Sequence, residues 1–444
     1  MAFDFPASPA NGQVFTSGGV SYVWNGQGWV QQGAPGSVDK SYVDTADALK
    51  VAKAGDTMSG PLVLPADPTL ALQAAPKQYV DAVRTYAAPF DALAYNGMQI
   101  NGSMEVSQEI GTATQVTNFK FICDGWSFGW LGSTNLFGTA APVPWHPYSR
   151  NVLVVGVTTA VPGALTSGDV AWIAHNIEGY RVSRLMWGTA QAMPITLAFW
   201  STHTIPGTYT GTIRNLTPDR CYAFTYTQNV ASTPEYKTIT IPGCTDGTWN
   251  LTNGVGMYIT FAIAAGVGAN MAPSANTWLT GGYLAGPGQV NGVNSTSNFF
   301  RLADVIVLPG TQAPTAAQSP LIIRPYDQEL VTCQRYYQKS YKSADNPGSA
   351  VGGSGFFTII SGLTPQAQLT YVPVLFSIPM RAAPTCLMYS PDTGASGKIR
   401  DGNAAADVTA SIASPMNTGF TFFTTTAAVN SVNIQAHWTA DARL

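Results

Sequence analysis

Apolar residues come along this chain in short runs. "VLVVGV" (152–157), "ITLAFWST" (195–202), "CYAFTYTQ" (221–228), "YKTITIP" (236–242), "MYITFAIAA" (257–265) and "DVIVLPG" (304–310) follow one another, with stretches such as "GTYTGT" and "CTDGTWN" read as turns between them. Runs of this length, rich in Val, Ile, Thr, Tyr and Phe, predict antiparallel strands of a β-sandwich or jelly roll over residues 95–325. The most apolar stretch, "MYITFAIAAGVGANMA" (257–272), is interrupted by glycines. It falls short of the roughly 20 residues that span a bilayer and predicts a buried strand.

Two other patterns precede the sandwich. Residues 1–33 alternate apolar and polar positions through "VSYVW", bounded by Asn-Gly and Gly-Gly pairs. This predicts a small meander of short strands with Phe15, Tyr22, Trp24 and Trp29 as a miniature core. So short a module buries little surface and leans on copies of itself or on a partner. Residues 34–94 read as a shaft. Tyr42, Ala46 and Leu49 recur at i, i+4, i+7, and Tyr79, Val83, Tyr86 and Phe90 repeat the pattern more strongly. Such narrow stripes suit a coiled-coil seam, and helices of about 10–14 residues need association to be stable. Between them "GDTMSGPLVLPADPT" is broken by Gly and Pro and predicts a short strand between turns.

Beyond the sandwich, "YDQELVTCQRYYQKSY" predicts one helix from about Tyr326 to Ser340, within a connecting segment 326–344. Its apolar positions suit packing between two domains or a second seam between chains. A second strand-rich block occupies 345–444 and reads as a C-terminal β-sandwich tip domain. In its last strand, "VNIQAHWTA", alternation puts His437 and Trp438 on opposite faces.

Composition sharpens this mainly β reading. Only 10% of the 444 residues are charged, against roughly 25% in ordinary soluble domains. Gly (44) and Pro (30) are abundant, as turn-rich sandwiches require. Net charge is −3 and the 21 basic residues are scattered, which excludes the basic stripe that nucleic-acid binding needs. The first 39 residues lack Lys and Arg, so no secretory signal is expected. Five separated cysteines without CxxC spacing predict reduced, buried thiols, and a bridge between Cys221 and Cys244 is left open by the sequence. Four histidines show no metal-ligand spacing, and no cofactor is expected.

One stretch carries a resemblance. "GDTMSGPLVLPADPTLALQAAPKQYVD" closely resembles a cassette of tail-fibre and receptor-binding proteins of tailed bacteriophages. "FDFPASPANGQVFTSGGVSYVWNGQGWV" resembles the module that often precedes it. "INGSMEVSQ", "CDGWSF", "LMWGTAQAMPITLAFW", "YKTITIPGCTDGTW", "NGVGMYITF" and "IIRPYDQELVTCQRYYQKSY" continue the likeness to residue 341, and "VLFSIPMRAAPT" is similar to the start of a fibre tip. One departure stands out: "VIVLPGTQAPTAAQSP" replaces a short acidic phrase, so any role of its Glu is absent. The resemblance implies an elongated parallel homotrimer in the virion, made in the host cytoplasm and not inserted in a membrane. In it the N-terminal module anchors to other virion proteins, 34–94 forms the shaft, 95–325 a carbohydrate-binding-like body, and 345–444 the receptor-binding tip. The receptor would be a surface saccharide or an outer-membrane protein.

Candidate chemistry follows from these expectations. Sugar binding needs aromatic faces beside amides and charges. Trp145 and Tyr148 in "PVPWHPYSR" and Trp278 in "SANTWLTGGY" are candidates, though each Trp equally suits sealing an end of the sandwich. Trp187 and Trp200 read as core. At the tip, the polar stretch "SPDTGASGKIRDGN" (390–403) carries Asp392, Lys398, Arg400, Asp401 and Asn403, and reads either as a recognition loop or as a solvated hairpin. A polysaccharide-cutting enzyme would need paired carboxylates. Asp124, Glu178, Glu235 and Asp246 lie near aromatics but in no catalytic phrase, and no Gly-x-Ser-x-Gly elbow occurs, so no enzyme is expected. A fibre that only builds or decorates the particle is the alternative to adhesion.

Overall fold

The computed structural model describes residues 4–32, 97–144, 146–352, 357–362, 369–425 and 431–444. The shaft lies outside the described residues. With it go the seam candidates Tyr42, Ala46, Leu49, Tyr79, Val83, Tyr86 and Phe90, and Trp145. The chain divides into two units, 1–87 and 88–444.

In the first unit β1 (Val14–Ser17), β2 (Val20–Trp24) and β3 (Trp29–Gln31) form an antiparallel sheet in that order. Asn25 accepts hydrogen bonds from the Gln27 and Gly28 amides and tightens the second turn. Phe15, Tyr22, Trp24 and Trp29 contribute to an aromatic cluster with Phe5, yet each of the four stays only half-buried. The expected meander is present, and its core is thin.

The second unit opens with a sandwich. Its strands are β4 (Phe121–Cys123), β5 (Trp126–Leu131), β6 (Asn135–Pro142), β7 (Asn151–Thr159), β8 (Val170–Glu178), β9 (Ile195–His203), β10 (Gly207–Arg214), β11 (Cys221–Gln228), β12 (Glu235–Ile241), β13 (Val255–Ala265), β14 (Trp278–Leu279) and β15 (Phe299–Pro309). A seven-stranded sheet, in order β14-β11-β10-β13-β8-β5-β4, faces a five-stranded one in order β12-β9-β15-β7-β6. The inward residues, among them Phe128, Ile173, Phe199, Phe224, Phe261 and Phe300, make one continuous core. Trp187 belongs to that core, and Trp200 is buried in a smaller cluster with Val152 and Ala303. Cys221 and Cys244 are both buried free thiols.

"GTYTGT", read from the sequence as a turn, is strand β10. Its threonines favour the extended backbone, and their hydroxyls are bonded inside: Thr212 Oγ1 lies 2.7 Å from Thr260 Oγ1, and Thr210 Oγ1 donates to Gln289 Oε1 at 2.7 Å. Gly211 is required because a Cβ there would meet the Phe224 ring at 2.3 Å.

Among the described residues, short α-helices occur as α1 (Gly179–Val182) after β8, and α2 (Ser319–Ile322) and α3 (Tyr326–Gln334) after β15. The helix expected to reach Ser340 stops at Gln334. Tyr337–Lys339 instead form β16, paired with Asp441, Ala440 and Thr439. Adjacent tyrosines favour a strand, and both bury here, Tyr336 and Tyr337 each being 3% exposed.

The last block holds β17 (Phe357–Gly362), β18 (Leu369–Leu375), β19 (Thr385–Tyr389), β20 (Lys398–Asp401), β21 (Ala406–Met416), β22 (Gly419–Thr425) and β23 (Ser431–Asp441). With β16 they form an eight-stranded sheet centred on β23, which pairs with β16, β17, β19 and β20. His437 and Trp438 point oppositely. His437 stacks on Tyr341 at 3.9 Å, and Trp438 packs on Phe376 and Phe420.

Candidate functional site

A cleft of about 640 Å³ opens beside the sandwich. Its floor is the 104–112 segment with Glu105, Ser107 and Gln108. One wall is the β6–β7 end with Ala140, Pro142, Arg150 and Asn151. The other is α3 with Tyr326, Leu330 and Gln334, continued by Lys339, Tyr341 and Ser343. The helical residues lie at i, i+4, i+8, one face of the helix.

Buried polar clamps hold these pieces. Asn101, in the left-handed region (φ 50°), bonds Val106 through both ends of its amide, at 2.7 and 3.0 Å, and so shapes the floor. Glu329 of α3 accepts the Asn101 amide at 2.7 Å and pairs with Arg324 at 3.0 Å, both side chains being buried. The other end of α3 is fixed by Arg335, whose guanidinium meets the buried Glu178 carboxylate at 2.6 and 2.9 Å, while Tyr336 donates to Glu178 at 2.7 Å. Removing one member of such a pair leaves a buried charge uncompensated.

Gln108 ties the floor to the interior. Its backbone amide and side-chain amide both donate to Asp124, at 3.0 and 2.5 Å, and its side chain also donates to the Tyr337 carbonyl at 2.9 Å. Burial pushes the Asp124 carboxyl up to about 6 against these hydrogen bonds. Asp304 behaves alike. It sits in the left-handed region (φ 44°) at a bulge where β15 shifts register against β9 between Ala303 and Ile306. Its carboxylate accepts from Ser149 Oγ at 2.5 Å, and burial raises it to about 6, with the Glu105 charge adding to the rise. The Ser149 amide donates to His146 Nδ1 at 2.9 Å, and burial lowers that imidazole to about 4, keeping it neutral. The loop before Arg150 is thereby pinned. Lys339 donates to the carbonyls of Asp345 (2.8 Å) and Ser343 (3.3 Å).

The residues singled out from sequence divide sharply. Tyr148 is 45% exposed, its ring 5.3 Å from Trp200, on the loop that ends at Arg150. Trp278 is half-buried against Trp187, Trp249 and Tyr222 at 5.3–5.8 Å and donates to the Pro242 carbonyl, the arrangement of a seal. At the tip, 390–403 is not one loop. Lys398, Arg400 and Asp401 lie in β20. Arg400 pairs with Asp392 at 2.9 Å, Lys398 donates to Thr409 Oγ1 at 2.9 Å, and Asp401 is fully buried, accepting the Asn403 and Ala404 amides at 3.0 and 3.1 Å. Asp401 is thus a turn cap whose carboxylate offers nothing to a receptor. The tip polar residues mostly bind one another.

The acids considered for catalysis are also engaged. Glu178 is held by Arg335, Asp246 pairs with Arg220, and Glu235 accepts the Asn229 and Val230 amides at 2.8 Å and pairs with Lys237. Glu105 is the one carboxylate lining the cleft among the described residues. Sequence reading missed Glu105, Gln108, Asn151 and Lys339 because they come from three distant segments and form no motif.

No family model and no curated protein matches the sequence. Among solved structures, the chain is similar to the enzymatically active domain of tailspike protein 4 of bacteriophage CBA120 (14% identity, TM-score 0.26), covering 49% of this chain and 22% of that one. It is also similar to a family 11 carbohydrate-binding module from Clostridium thermocellum in complex with a β-1,3-1,4-mixed-linked tetrasaccharide (10%, TM-score 0.24, 46% and 99% covered). A third likeness is to the N-terminal cellulose-binding domain of Cellulomonas fimi β-1,4-glucanase C (15%, TM-score 0.20, 47% and 100% covered). The chain thus spans about a fifth of the tailspike domain's length (22%). With scores this low, none of them fixes a ligand for this chain.

Proposed function

We propose that this chain is a receptor-binding fibre or spike component of a tailed-phage virion, adhering to saccharide on the bacterial surface through the cleft. The observation that carries this reading is the cleft's composition on a clamped frame. An exposed tyrosine, Tyr326, lines the cleft together with Arg150, Asn151, Glu105 and Gln108. A pyranose presents an apolar face to an aromatic ring and hydroxyls to amides and charges, so this set suits it. The buried pairs at both ends of α3 pre-organise the wall and limit the ordering cost of binding.

In this reading residues 1–33 face the particle, three chains associate along 34–94, and the linked copies turn individually weak sites into firm attachment. Adhesion proceeds without cleavage. Hydrolysis of a glycosidic bond uses two carboxyl groups about 5–10 Å apart, and among the described residues Glu105 is the one carboxylate lining the cleft.

The test is binding of the purified protein to a panel of bacterial lipopolysaccharides and capsular polysaccharides, with the chain length of each saccharide followed in parallel. Binding without shortening is expected, and Tyr326→Ala should weaken it about tenfold. Shortened saccharide would make the chain a depolymerase, and absence of binding across the panel would leave a decorating fibre.

A further inference from the structure

The arginines of this charge-poor chain are mostly spoken for. Arg220, Arg324, Arg335, Arg400 and Arg443 each sit in an ion pair. Arg150 differs. It is exposed, lines the cleft, and its side chain has no ion pair, hydrogen bond or ring contact among the described residues.

Its backbone is nonetheless fixed. The Arg150 carbonyl accepts the Val143 amide at 2.8 Å, closing the base of the loop. The preceding Ser149 is pinned to the buried Asp304 at 2.5 Å, and the following Asn151 begins β7. An arginine is thus held by its main chain at the rim of a cleft with its guanidinium uncommitted. Lys339 lines the same cleft with its ammonium on the Ser343 and Asp345 carbonyls, and Glu105 is the one carboxylate lining it among the described residues. Among the described lining residues two cations stand with one carboxylate, on a chain of net charge −3.

We infer that Arg150 reads an oxyanion on the bound saccharide, so the cleft selects acidic glycans, those bearing a carboxylate or a phosphate, over neutral ones. This rests on the saccharide reading above and narrows it. A guanidinium presents parallel N–H donors that match the two oxygens of a carboxylate or phosphate, which makes such contacts both strong and directional. A solvated surface arginine would make no such choice, so selectivity separates the two roles.

The experiment uses the full chain on an array of neutral, uronic-acid-bearing and phosphorylated bacterial glycans, at low and moderate salt. Wild-type protein should prefer the acidic glycans, and added salt should weaken that preference. Arg150→Gln should lose about tenfold or more on acidic glycans and markedly less on neutral ones, with an unchanged melting temperature. Arg150→Lys, which keeps the charge but not the fork, should fall between. The uronate and phosphate arms show which oxyanion is read. Preference for neutral glycans, or equal loss on both classes in Arg150→Gln, overturns the inference and leaves the saccharide reading standing. Absence of binding to every glycan overturns both.

Discussion

Two polar regions of the second unit invite comparison, the cleft and the tip stretch 390–403. Both carry acids, bases and amides, and the tip is the denser in sequence. In the folded chain the tip turns its charges inward upon one another: Arg400 on Asp392, Lys398 on Thr409, Asp401 on its own turn. The cleft does the opposite. The charges behind its helical wall are paired to hold the frame, and the Arg150 side chain, which lines it, has no partner among the described residues. Density of polar residues therefore marks a binding surface poorly. What counts is which polar groups remain uncommitted after folding has satisfied its own needs.

The comparison can be broken or sharpened by substitution. The largest effect is expected at the frame. Glu329→Ala strands Arg324 in the interior and should cost about 3–5 kcal/mol, read by urea denaturation, with glycan binding lost as α3 loosens. Next is Asp304→Asn. The Asp304 pKa is raised to about 6 in the fold, above the roughly 3.9 of an unfolded chain. Its folded state therefore holds its proton more tightly, and stability falls as pH rises between about 4 and 6. Asparagine removes that dependence while keeping an acceptor for Ser149. The variant should gain up to about 3 kcal/mol at pH 7.5 and nothing below pH 4, as followed by thermal melts across pH. A loss of stability at both pH values would show that the carboxylate is needed for packing.

Smaller effects belong to the tip. Asp401→Ala removes two turn hydrogen bonds of a buried carboxylate and should cost about 1–3 kcal/mol without altering glycan binding. Asp392→Ala breaks a partly exposed pair and should change stability by no more than about 1 kcal/mol, again with binding intact. Loss of binding in either variant would move the site to the tip.

Much of the framework was legible in the sequence. The runs from "VLVVGV" to "DVIVLPG" became β7, β9, β11, β12, β13 and β15 because apolar β-formers between turns have few other solutions. The errors share a cause. "GTYTGT" hides a buried strand because Thr side chains satisfy themselves by hydrogen bonds that no hydropathy pattern reveals. The helix beyond Gln334 yields to pairing with the central strand β23 about a hundred positions away, at Thr439–Asp441. The cleft was illegible for the same reason, since Glu105, Arg150 and Lys339 meet only through tertiary structure. Nothing in "PVPWHPYSR" says that the Arg150 side chain, unlike that of Arg400, would find no partner among the described residues.

The most direct test of the central claim is hydrogen exchange of the full chain with and without the best-binding glycan of the panel. Slowed exchange in 104–112 and in the 326–343 wall, with 390–403 unchanged, is the predicted result. Slowed exchange confined to 390–403 would contradict the account and place recognition at the tip.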